Sequence, residues 1–115
     1  MKDKITYLET SNGTKYPLIF TLNVMEAIQD KYGSLDKWME LIKEGEPNIK
    51  ALKFGLGEML NEGIEIENET AETKRDLLDS KKVGRIITEL GMSSVAGKIG
   101  ENVVASTKTD APKNE

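Results

Sequence analysis

The sequence predicts an α+β fold, mainly α, with an N-terminal β-hairpin followed by four or five short helices in one domain and a flexible C-terminal tail. Three observations carry this. Asn12-Gly13 stands between two runs rich in β-branched and aromatic residues, the strongest short-range hairpin signal. Val83, Ile86, Ile87 and Leu90 fall at i, i+3, i+4 and i+7, the spacing of one helical face. The chain has 115 residues, 28 of them Leu, Ile, Val or Phe, enough for one hydrophobic core and too few for two.

Taken in order, Ile5 to Thr10 and Lys15 to Thr21 are the hairpin strands. A two-residue loop at Asn12-Gly13 pairs Glu9 with Tyr16, Tyr7 with Leu18 and Ile5 with Phe20. That register puts Ile5, Tyr7, Leu18 and Phe20 on one face and sets Pro17 opposite Leu8 in a non-hydrogen-bonded pair. Asn23, with Glu26 three residues on, reads as a capping box opening a first helix on Val24, Met25, Ile28 and Tyr32, which Gly33 ends. Ser34 caps a second helix carrying Leu35, Trp38, Met39 and Ile42, closed by Gly45 before Pro47. From Asn48, the residues Ile49, Leu52, Leu56, Met59 and Leu60 form one apolar stripe. Gly55 and Gly57 weaken that helix, and close packing of another backbone is the expected reason for them. Gly63 to Glu72 alternates Ile64 and Ile66 with glutamates and reads as extended chain or a short strand. A helix from Ser80 ends at Gly91. Met92, Val95, Ala96, Ile99 and Val103 then form a last helix interrupted by Gly97 and Gly100. After Val104 nothing large remains to bury, so residues 1–104 are expected to form the domain and 105–115 a mobile tail.

Composition bounds the chemistry. The chain has no His and no Cys, which removes imidazole and thiolate nucleophile pairs, metal ligands of those types and disulfides. Gly91 to Lys98 suggests a phosphate-binding loop, but five residues separate Gly91 from Gly97 and Ile99 takes the place of the metal-ligating Ser or Thr. Gly55-Leu56-Gly57 is a poor dinucleotide fingerprint, because Leu60 stands where a third small residue belongs. Glu58, Glu62, Glu65, Glu67, Glu69 and Glu72 follow one another without a Lys or Arg between them. They lack the spacing of a calcium loop and read as solvated acidic surface. No catalytic residue, cofactor or metal site is therefore expected. A net charge of −4 and a pI near 5.0 disfavour nucleic acid as a partner. No stretch has the apolar core of a signal peptide or the length of a membrane span, so a soluble cytoplasmic protein without membrane contact is expected. Trp38 has two readings: a core residue, or a half-exposed anchor for a protein partner.

The stretch from Tyr16 to Leu35, with its hairpin leading into a helix that ends Lys31-Tyr32-Gly33-Ser34, resembles the opening of the tail assembly chaperones of long-tailed, siphovirus-like bacteriophages and prophages. The similarity continues through Ile49-Lys50-Ala51-Leu52 and Met59 to Ile64, and on to Val83-Gly84-Arg85-Ile86-Ile87, so that it covers roughly residues 5 to 90. It is the order of these elements that carries the resemblance. It implies a non-catalytic protein of the host bacterial cytoplasm, absent from the mature virion, that binds the hydrophobic tape measure protein, and often tail tube subunits, until the tail polymerises. Many members exist also in a longer, frameshifted form, and the segment after Val104 is where such an extension would attach. The family brings no catalytic motif. The residues expected to meet a partner are Trp38, Met39, Met92, Val95 and Ile99, the last three on a final helix that a partner could displace or dock against. A homo-oligomer that pairs this helix is left open. The rival reading from a different class is a small phage or host regulatory adaptor, or inhibitor, that binds one folded protein.

Overall fold

The computed structural model describes residues 5–43 and 46–108. It is an α+β, mainly α, domain in which a two-stranded antiparallel hairpin, β1 (Thr6–Glu9) and β2 (Lys15–Leu18), precedes five helices. These are α1 (Leu22–Tyr32), α2 (Leu35–Leu41), α3 (Ile49–Asn68), α4 (Ser80–Leu90) and α5 (Met92–Lys108).

The hairpin turns where the sequence says it should, but its register is one residue away from the expected one. Thr6 pairs with Leu18, Tyr7 with Pro17, Leu8 with Tyr16 and Glu9 with Lys15. The loop has three residues instead of two. The Gly13 amide donates to Thr10 O at 2.9 Å, the Thr10 amide to Thr14 O at 3.0 Å, and Gly13 takes a φ of 88°. This is the three-residue loop in which the last position must be left-handed, a conformation glycine adopts without steric cost. The Asn12 side chain fixes it, accepting from the Thr14 amide and the Thr10 hydroxyl. Because strand side chains alternate, a slip of one residue exchanges the faces. Leu8 and Tyr16 are therefore buried beside Leu18, while Tyr7, expected inside, is 47% exposed. Pro17 faces Tyr7 and not Leu8. With Thr10 and Thr14 as the last bonded pair, strict alternation still leaves proline in a non-bonded one.

α3 is the spine. Its 20 residues span about 30 Å, and two rows spaced by four face inward: Ala51, Gly55, Met59, Gly63, and beside them Leu52, Leu56, Leu60, Ile64. The glycine row is a trough. A Cβ on Gly55 would lie 2.0 Å from Trp38 Cζ2, and one on Gly63 would lie 2.8 Å from the Cβ and O of Pro17. α2 and β2 are thus seated directly on the α3 backbone. The expected role for Gly55, close packing, holds with a side chain in place of a backbone. Gly57, by contrast, faces Val83 at ordinary contact distance. The segment expected to be extended from Gly63 is helical to Asn68, because Gly63 and Ile64 continue the two buried rows.

The first helix is capped two residues earlier than the Asn23 reading. Thr21 Oγ1 accepts from the Val24 amide, and α1 has no acidic residue in its first turn. Glu62 of α3 supplies one from across the core, accepting from Thr21 Oγ1 at 2.6 Å and Asn23 Nδ2 at 3.2 Å. A carboxylate there favours the positive end of the helix dipole. Gly33, Ser34, Asn48 and Gly91 mark helix ends as expected, while Gly45 lies outside the described residues. Beyond Val104, expected to start the tail, α5 continues to Lys108 with Ser106 fully buried.

The irregular link between α3 and α4 is held by two asparagines seven residues apart on α3. Asn61 exchanges hydrogen bonds with both backbone groups of Leu78, at 3.0 and 2.8 Å, and Asn68 does the same with Arg75, at 2.9 and 3.0 Å. Arg75 then reaches back to Lys15 O and stacks its guanidinium 5.1 Å from the Tyr16 ring centre. Amide side chains in this two-pronged form satisfy backbone groups that have no helix or strand to do so.

Candidate partner-binding site

The five residues singled out from sequence separate into two groups. Trp38, Val95 and Ile99 are wholly buried. The Trp38 indole lies on Gly55 and donates from Nε1 to Ala51 O at 3.0 Å, so its polar atom is satisfied inside the core. Of its two readings, the core residue is the correct one. Val95 and Ile99 point inward because they share the inner face of α5 with Ala96 and Val103. None of the three can touch a partner unless the domain opens. Met39 and Met92 do reach the surface, half-buried and 41% exposed respectively. They belong to different places.

Met39 of α2 lies with Ile42, the residue that caps this helix, opposite Ala96, Gly97, Gly100 and Val104 of α5, forming a shallow groove of about 590 Å³. Small residues on α5 leave this space open, since a Cβ on Gly100 would meet nothing within 4 Å. Val104 stands at its end, 53% exposed.

Met92 belongs to a second groove, of about 640 Å³, between the first turns of α3 and the outer face of α4. Ile49, Leu52, Ile87 and Met92 are its apolar lining, and Lys53, Lys81 and Arg85 its charged one. Ile49, 61% exposed, is the one member of the predicted α3 stripe left uncovered. Gly84 of α4 lies beneath Lys53 of α3. The lysine stem crosses the glycine, whose missing Cβ would lie 3.4 Å from Cε and 3.5 Å from Nζ, so the ammonium is carried over to α4. Lys81 and Arg85, one turn apart, complete the cationic edge. Among the described residues no acid lines this groove.

The glutamate run is less uniform than a solvated surface. Glu62 holds the start of α1, and Glu67 accepts from the Tyr7 hydroxyl, a bond that raises the phenol above its ordinary range. Glu58 is shifted upward by burial first and then by the negative charges of Glu62 and Glu65. Among the described residues no three acidic side chains converge on a point that could hold a metal ion. Residues 92–98, part of the suspected phosphate loop, form the first turns of α5 and not a loop, and from Val95, whose amide donates to Gly91 O, the backbone bonds within the helix. Gly55-Leu56-Gly57 lies within α3. No described helix is long and apolar enough to cross a membrane.

No protein-family model matches the chain, and no match to a curated protein or a solved structure was found. The reading of its function therefore rests on the grooves and on the sequence resemblance.

Proposed function

We propose that this protein is a non-catalytic tail assembly chaperone of a long-tailed phage or prophage. It would hold the tape measure protein, and with it tail tube subunits, soluble in the bacterial cytoplasm during tail morphogenesis and leave before the virion is complete. The supporting observation is the pair of open grooves with apolar lining, one between α3 and α4 and one between α2 and α5. A holdase for a long helical protein needs such surfaces, because an amphipathic helix binds by laying its apolar face in a groove. The family reading is supported by the sequence resemblance, carried by the order of hairpin, capped helices and stripes over roughly residues 5 to 90. Co-expression tests the reading: with the tape measure protein encoded beside it, the soluble yield of that protein rises and the two co-purify. No gain in solubility and no complex would refute it.

A further inference from the structure

The groove between α3 and α4 carries information that the groove beside α2 does not, namely a sign of charge. In a chain of net charge −4, three cations and, among the described residues, no acid line a single cleft with an apolar floor. We propose that this cleft is the docking site for an amphipathic helix of a protein partner that carries Asp or Glu beside its apolar stripe. The inference rests on the reading of this chain as a binding protein and specifies the chemistry of what it binds.

Ile49 and Met92 lie exposed at the cleft where Leu52 and Ile87 are buried, so a visiting side chain would cover apolar surface that is now wet. The volume, about 640 Å³, admits a few side chains and not a whole helix. That is the mode in which residues at i, i+3, i+4 and i+7 are inserted and the rest of the helix stays outside. Lys81 and Arg85 sit at i and i+4 on α4, with Lys53 facing them from α3. Carboxylates one turn apart on a docked helix would meet this edge at matching intervals. A basic helix would bring like charges together in the same place, so the cleft selects as well as binds.

The test uses the full chain and two synthetic amphipathic peptides of about five turns, with the same leucine stripe flanked by glutamates in one and by lysines in the other. Anisotropy titration should show the glutamate peptide binding at least tenfold more tightly, with the advantage shrinking in high salt. Lys81→Glu/Arg85→Glu, both exposed and outside the core, should keep the melting temperature and reverse the preference. Ile49→Ser, which removes apolar surface without adding charge, should weaken both peptides. Equal binding of the two peptides, or a preference that survives the charge reversal, would overturn the proposal. So would inorganic phosphate displacing the glutamate peptide from the wild type while Ile49→Ser has no effect, because the cleft would then be a simple anion site. Light scattering adds the remaining occupant: a wild-type dimer that the charge reversal turns into monomers would assign the cleft to a second copy of the chain. Failure here is separable from failure of the chaperone reading. Tape measure capture that survives the charge reversal removes this cleft alone, and peptide binding without tape measure capture removes the phage assignment alone.

Discussion

Gly55 in α3 and Gly100 in α5 are the same residue in the same kind of element, yet they serve opposite ends. At Gly55 the missing side chain is filled by the Trp38 indole, and at Gly100 it is filled by nothing. One closes the domain and the other leaves a surface open. The contrast extends to the helices. α3 buries two full rows among β2, α1, α2 and α4 even though its first turns line a cleft with α4, whereas the Gly97–Gly100 side of α5 lines an open groove. Glycine in a helix is thus no signal by itself, and what stands opposite determines its effect.

The largest effect should come from Gly55→Ala. A rigid ring at 2.0 Å cannot give way as a flexible chain end would, so the variant should lose about 3 kcal/mol in denaturant unfolding, the upper part of the overpacking range. The sharper test is the cycle. In a Trp38→Ala background the clash is gone, and the same substitution should become neutral or stabilising by up to about 1 kcal/mol. Gly63→Ala, against the Pro17 ring and carbonyl, should cost about 1–3 kcal/mol. Gly100→Ala should have the opposite sign, raising stability by about 1 kcal/mol and the melting temperature by about 4–8 °C. A loss at Gly100 would mean that the groove beside α2 is occupied in the free protein.

The smallest expected effect is electrostatic. Glu58 titrates higher in the folded protein than its ordinary value of 4.5, so the native state binds the extra proton and stability falls as pH rises through the interval above 4.5. Glu58→Gln should flatten that part of the stability profile. Glu89 has the reverse sign. Its carboxylate accepts the Ser11 amide and titrates lower than usual, so its contribution is present above 4.5 and is lost in more acid solution. The two slopes can be separated in a pH series on Glu58→Gln and Glu89→Gln.

Signals that act locally were legible in the sequence. Gly33, Ser34, Asn48 and Gly91 mark helix ends because caps and stops depend on neighbouring residues. The position of the hairpin turn was legible, but its length was not. Asn12-Gly13 suits a two-residue loop and equally a three-residue loop with Gly13 left-handed, and the choice reverses the buried face. The Ile64 and Ile66 alternation imitates a strand, and what favours helix there is the burial of Gly63 and Ile64 against elements distant in the chain, among them Pro17, 46 residues from Gly63. Of the five residues expected to meet a partner, Met39 and Met92 reach the surface, whereas Trp38, Val95 and Ile99 are buried. An apolar stripe shows which face a helix will bury and not whether its own chain or a partner covers it. The cationic edge was invisible for a simple reason: Lys53 and Lys81 meet only when α3 and α4 fold side by side.

Hydrogen exchange on the protein alone and in complex with the co-expressed tape measure protein tests most directly whether the open side is the binding side. The expected result is slowed exchange at residues 49–53 and 81–92, with the hairpin turn at residues 10–14 unchanged. Protection confined to the hairpin and α1, with the α3–α4 groove exchanging as freely as before, would contradict it.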